Sequence, residues 1–308
     1  MKKIIGLLLS LAFLLAGCGN GATESTQEDG KLQVVATTTM LTDLLKEIGG
    51  DKLQVEGLMG PGIDPHGYQA SSSDVTTLMN ADIVAYNGLH LEGKMGDVFE
   101  NLVKQDKTLF VLEEAIPEST LLESEENGGA VDPHIWFSVN NWKLAADYIT
   151  TELSKVDVEN AELYQENNER YQKELDELIV YIEGRIEELP VEQRYLVTAH
   201  DAFSYFGNSF DFEVVGLQGV NTQTEAGTGD VSSLAGFIAE KKIKAIFIES
   251  SVPTKTIESL QEAVRSKGWE VEIGGELFSD ALGDESQDAE TYVKMYHQNI
   301  DTIVDALK

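Results

Sequence analysis

One long helical stripe, set between two copies of the same strand–helix alternation, constrains the fold of this chain most. From Glu159 to Leu189 the sequence is dense in Glu, Gln, Asn and Leu. Its apolar residues Tyr164, Tyr171, Leu175, Leu178, Ile182, Ile186 and Leu189 fall mostly three or four apart. That spacing describes one face of a continuous helix. Pro190 stops it, because proline lacks an amide hydrogen and its ring clashes with the preceding turn. A dimerising coiled coil is the other reading, but the stripe is short and its flanking charges are nearly all acidic. A stiff linking helix over 158–190 is therefore expected.

Short apolar runs rich in β-branched residues recur on both sides of it. Leu32–Ala36, Leu53–Leu58, Ile83–Asn87 and Thr108–Leu112 read as strands before the helix. Helices Met40–Ile48, closed by Gly49-Gly50, and Ser73–Asn80, opened by serines, fit between them. After the helix, Tyr195–Thr198, Phe212–Leu217, Ala245–Glu249 and Trp269–Ile273 read as strands. Val231–Lys241, Thr256–Lys267 and Ala289–Leu307 read as helices. Strands alternating with helices imply βαβ units and parallel sheets. The expected fold class is α/β with two lobes, over 31–157 and 191–308, each a mainly parallel four-stranded sheet with flanking helices.

The chain opens with Lys2-Lys3 and the apolar run Ile4–Leu15. This is the pattern of a secretory signal over residues 1–17, too short for a permanent membrane span. Leu15-Ala16-Gly17-Cys18 resembles the lipobox of bacterial lipoproteins, in which the cysteine sulfur carries diacylglycerol. An anchor at Cys18 would hold the protein on the extracytoplasmic face of the cell membrane without a spanning helix. Cys18 is the only cysteine, so no intramolecular disulfide forms. Residues 18–30, polar and without periodicity, read as a flexible tether. Removing residues 1–17 leaves 291 residues, enough for two α/β lobes with separate cores. The net charge of −32 argues against nucleic acid, which needs a basic footprint. Such acidity attracts cations without selecting one.

Selection points to four residues in turn-like segments at or beyond strand ends. His66 follows the second strand across Gly60-Pro61-Gly62-Ile63-Asp64-Pro65. His134 follows the acidic loop Glu113–Val131, His200 follows Tyr195–Thr198, and Asp280 lies beyond Trp269–Ile273 after a Gly274-Gly275 turn. In an open α/β sheet, ligands gather beyond the carboxyl ends of the strands. A divalent metal is the simplest partner that draws three imidazoles and a carboxylate from such distant places. Imidazole suits zinc and related ions, while carboxylate also suits manganese. Asp64-Pro65-His66 and Asp132-Pro133-His134 share a grammar, 68 residues apart. Proline stiffens each turn and lowers the entropy cost of presenting the imidazole. His90, in Asn87-Gly88-Leu89-His90-Leu91-Glu92-Gly93, is a weaker candidate near the crevice, and His297 reads as an ordinary residue of the last helix. Trp136, Phe137, Phe203, Tyr205 and Phe206 flank the four and read as packing that keeps a site dry.

These segments, with Thr198-Ala199-His200-Asp201-Ala202-Phe203-Ser204-Tyr205-Phe206-Gly207, Phe247-Ile248-Glu249-Ser250-Ser251 and Gly274-Gly275-Glu276-Leu277-Phe278-Ser279-Asp280, resemble the ZnuA/TroA-like metal-binding solute-binding proteins of ABC importers. The match spans essentially the whole chain after the signal. The resemblance implies two lobes bridged by a rigid helix, with one Mn2+ or Zn2+ ion held between them by His66, His134, His200 and Asp280 and passed to a permease driven by an ATPase. Many manganese-binding relatives carry glutamate at the third position; His200 places this chain with the TroA type, associated with both metals. Zinc-specific relatives often carry a histidine-rich loop before the second ligand, and Glu113–Val131 has no histidine. Manganese is the favoured cargo, with zinc close behind. Glu249 reads as a carboxylate that fixes an imidazole tautomer, or as a structural ion pair.

A monomeric binding component is expected, not an enzyme. The alternative is an exported zinc-dependent hydrolase with Asp201 or Glu249 as base. The chain lacks both H-E-x-x-H and G-x-S-x-G. A role as a surface adhesin could coexist with metal capture, although no segment marks an adhesive surface.

Overall fold

The computed structural model describes residues 30–124 and 129–308. The signal segment, Cys18 and the tether up to residue 29 lie outside the described residues. Ten strands and nine α-helices are described: β1 Leu32–Ala36, α1 Thr39–Gly49, β2 Leu53–Gly57, α2 Ser72–Asn80, β3 Ile83–Tyr86, α3 Gly96–Lys104, β4 Thr108–Val111, β5 Glu123–Ser124, β6 Ala130–Val131, α4 Val139–Val156, α5 Ala161–Ile186, β7 Tyr195–His200, α6 Ser204–Phe210, β8 Glu213–Gln218, α7 Thr228–Lys241, β9 Ala245–Glu249, α8 Lys255–Ser266, β10 Glu272–Leu277 and α9 Tyr292–Leu307.

In the first lobe, β2-β1-β3-β4 form one parallel sheet. In the second, β7 pairs with β8 and β9 with β10, both parallel, and β7 lies beside β9. Local chemistry sets the helix starts. Thr38 accepts the amide of Leu41 at the start of α1. Ser71 and Asp74 cap α2 reciprocally, and the same Asp74 carboxylate accepts the Tyr68 hydroxyl at 2.8 Å.

Helix α5 carries the foreseen stripe: Tyr164, Tyr171, Leu175, Leu178, Ile182 and Ile186 are all buried. It packs on α1 and α4 of the first lobe and on α9 of the second. Trp142 of α4 donates its indole N–H to the Tyr171 hydroxyl at 3.0 Å, and Asn167 donates to the Ile48 carbonyl at 2.9 Å. Near its other end, Arg185 and Tyr181 both reach Asp301 of α9 at 2.7 Å.

Three expectations need correction. The cores are not separate: one buried cluster runs from β1 and α1 through α4 and α5 to α6 and α9, while smaller clusters fill the outer layer of each lobe. The last strand begins at Glu272 and runs through Gly274-Gly275, with a register shift between Ile273 and Gly275, so these glycines are not a turn. Helix α9 and strand β9 crowd that point. A Cβ on Gly274 would meet the Ala306 Cβ at 2.6 Å and the Phe247 ring at 2.7 Å. Finally, β7 extends to His200, which pairs with Gln218, so His200 ends its strand rather than following it. Helices α3, α4 and α6 were not foreseen. The buried face of α4 sets Val139, Trp142, Ile149 and Leu153 at helical spacing among the smaller Asn141, Ala145, Ala146 and Thr150.

Candidate metal centre

The four singled-out residues meet. His66 stands in the loop between β2 and α2, His134 past Asp132-Pro133 after β6, His200 at the end of β7, and Asp280 after β10. All four are buried, and one donor atom from each lies within 4.8 Å of the others. The Nε2 atoms of His66 and His200 stand 3.3 and 3.4 Å from that of His134. Asp280 Oδ1 is 3.4 Å from His134 Nε2, and its Oδ2 is 3.7 and 3.3 Å from those of His66 and His200. Four donors at about 2.1 Å from a shared tetrahedral centre would be about 3.4 Å apart, so these separations suit one ion. Neither oxygen of Asp280 has a hydrogen-bond partner among the described residues. A buried carboxylate left so is costly unless a cation compensates it.

The backbone around each imidazole is held by carboxylates. Asp64 Oδ1 accepts the His66 amide at 2.8 Å. Asp132 Oδ1 accepts the His134 amide at 2.9 Å and lies 2.7 Å from its Nδ1. Glu249 Oε1 accepts the His200 amide at 2.9 Å. Its Oε2 stands 2.7 Å from Nδ1 in an ion-pair contact that lacks hydrogen-bond alignment. A carboxylate beside Nδ1 favours a proton there and leaves the Nε2 lone pair facing the cluster. Gly216 of β8 also shapes this end of β7: a Cβ there would come within 2.4 Å of the Asp201 amide nitrogen.

Other segments fix the second imidazole's loop from both lobes. Asn87 donates to the Pro133 carbonyl at 3.0 Å, and its own amide donates to buried Glu92 at 2.9 Å. Trp136 donates its indole N–H to the Ser279 carbonyl at 3.0 Å, next to Asp280. Tyr292 and Tyr296 of α9 donate their hydroxyls to the Trp136 and Phe137 carbonyls at 2.6 Å. Tyr205 donates to the Asp132 carbonyl at 3.0 Å. The five flanking aromatics are all buried, as expected.

Electrostatics divide the imidazoles. Burial pushes His66 down to about 3, so it stays neutral at physiological pH. Burial also opposes the charged form of His134, but Asp132 and Asp280 outweigh it and raise the group to about 9. For His200, Glu249 and Asp280 likewise outweigh burial and raise it well above the usual imidazole range. Burial works against ionised Asp280, yet His200, His134 and His66 hold it well below the usual carboxylate range. The cluster therefore holds one neutral imidazole, a carboxylate, and two imidazoles whose surroundings favour the protonated form.

His90 is exposed, has a φ of 63°, and stands outside the cluster. His297 packs its ring against Tyr181 on the α9–α5 seam. Asp132 is the residue that sequence reasoning missed as a partner of an imidazole. Its signal was the Asp-Pro-His tripeptide, read above only for the stiffness of proline. Asp201 accepts the Ser204 hydroxyl at 2.7 Å and Glu249 is engaged with His200, so neither carboxylate that a hydrolase would need is free.

The profile of a family described as ZnuA, zinc-uptake complex component A, periplasmic, matches residues 34–306. The chain is 44% identical to the zinc-binding protein TroA of Treponema pallidum, over 99% of this chain and 98% of that protein. The solved structure of TroA superposes with a TM-score of 0.87 at 47% identity, covering 90% of this chain and 99% of that one. The manganese-binding lipoprotein MntA of Bacillus subtilis is 43% identical over 100% of this chain and 99% of its own. The manganese ABC transporter substrate-binding lipoprotein PsaA of Streptococcus pneumoniae is 29% identical over 100% and 99%.

Proposed function

The chain belongs to the ZnuA family of metal-uptake binding components, and on that premise we propose that His66, His134, His200 and Asp280 are the ligands of the ion it carries. Members of this family bind and deliver metal; they are not enzymes. In this reading the protein captures one divalent transition-metal ion outside the membrane and hands it to the permease of an ABC importer, whose ATPase drives transport. The convergence of three Nε2 atoms and an otherwise unpartnered Asp280 carboxylate at ligand-to-ligand spacing carries the proposal.

The ion is Mn2+ or Zn2+. Three imidazoles favour zinc by ligand softness, while both Asp280 oxygens face the centre and allow the fifth donor that manganese uses. With no histidine in Glu113–Val131, manganese is the favoured cargo. The further reading includes lobes over 31–157 and 191–308 joined through 158–190, a monomer, and an acyl anchor at Cys18 that holds it on the extracytoplasmic face. Among the described residues no helix is long and apolar enough to cross a membrane. Glu249 and Asp132 would orient His200 and His134.

The test is uptake of radioactive manganese and zinc by cells lacking this chain. The intact protein restores uptake, and Asp280→Ala, exported to the same level, does not. Equal rescue by both would overturn the proposal.

A further inference from the structure

The two Asp-Pro-His turns use their aspartates differently. Asp132 serves His134 twice through one oxygen, holding both its amide and its ring. Asp64 holds only the amide of His66, and its other oxygen accepts the hydroxyl of Thr222 at 2.5 Å. Thr222 lies 158 residues away, in the second lobe's loop between β8 and α7. Among the described residues no carboxylate forms an ion-pair contact with the His66 Nδ1 comparable to those beside His134 and His200. His66 is thus the imidazole whose placement depends most on its loop, and Thr222 ties that loop across the crevice.

We propose that Thr222 is a positioning residue for metal retention: through Asp64 it latches the His66 loop to the second lobe and so slows escape of the bound ion. This rests on the reading of His66 as a ligand. The bond is placed where it can open without unfolding the protein. Asp64 and Thr222 both line a cavity of about 520 Å3 beside Glu225, Ser251 and Lys255, so solvent reaches the latch while His66 itself stays buried. Opening it frees the loop while leaving His134, His200 and Asp280 on their own supports. Loss of His66 would then reduce the donor set from four residues to three, and an ion bound that way leaves sooner.

Thr222→Val keeps the shape and removes the hydroxyl; Thr222→Ser keeps the hydroxyl. Each full-length protein is loaded with Zn2+, and its loss to excess chromogenic chelator is followed by stopped flow. Thr222→Val should release zinc about ten- to a hundredfold faster, the scale for losing a hydrogen bond to a charged group. Thr222→Ser should stay within about threefold of the parent, and circular dichroism should show both metal-free variants folded at the assay temperature. Release from Thr222→Val within twofold of the parent overturns the latch. Equally fast release from both variants, or loss of the folded signal in metal-free Thr222→Val, assigns Thr222 a packing role and also overturns it. If the parent protein binds neither Zn2+ nor Mn2+, the ligand assignment fails instead, and the two failures are distinguishable.

Discussion

A single carboxylate oxygen of Asp132 accepts the backbone amide of His134 at 2.9 Å and lies 2.7 Å from its ring Nδ1. That pairing sets both the position of the imidazole and the nitrogen that faces the cluster. Asp132→Ala should therefore weaken metal binding about 10- to 100-fold, the usual scale for losing such a support. It should leave one ion per chain at saturation. Competition against a chelator of known affinity measures this, with circular dichroism to check the fold.

Metal loading should release protons. His134 is raised to about 9 and His200 well above its usual range by the carboxylates beside them, whereas burial holds His66 at about 3. Below about pH 9 His134 carries a proton that an ion must displace, and His200 is shifted in the same direction, so affinity falls as pH falls. Calorimetry at pH 7.5 in buffers of differing ionisation enthalpy should show about one to two protons released per ion. Release of none would contradict the electrostatic account.

Asp43 predicts a pH-dependent stability unconnected with metal. Burial against α9 raises it to about 7, opposed by the Tyr292 amide that donates to it at 2.8 Å and assisted by nearby Glu47. A carboxyl raised in the folded state stabilises most below its unfolded value, and that contribution is lost as pH climbs from about 4 to 7. Asp43→Asn keeps a carbonyl acceptor without the charge. It should stabilise the metal-free protein by about 2–4 kcal/mol at pH 8, less at pH 5. Urea unfolding at both pH values checks the sign.

The shared core around α5 predicts small lobe movements. Spin labels at exposed Val103 on α3 and Lys267 after α8 should show a mean distance that changes by less than about 3 Å on metal loading. A larger change would mean that α5 hinges.

Much of this architecture was legible because its causes are local. The α5 stripe, the run of serines that opens α2 and seven of the eight central strands follow from periodicity and capping chemistry, and the four candidate ligands from their places at or beyond strand ends. Most of what was missed depends on contacts distant in sequence. Gly274-Gly275 imitates a turn until α9 is known to press on it. Helix α4 was legible but passed over: Val139, Trp142, Ile149 and Leu153 recur at helical spacing on its buried face. Nothing in the sequence links Asp64 to Thr222 in the other lobe. Asp132 was visible, but a carboxylate two residues before a histidine says little until its oxygen is seen beside the ring.

The most direct test is a metal titration of demetallated protein, followed by elemental analysis after desalting. The parent should retain one Mn2+ or Zn2+ per chain, and His134→Ala and Asp280→Ala should retain almost none while keeping their helical content. Full retention by those variants would show that the ion sits elsewhere and would contradict the assignment of this cluster.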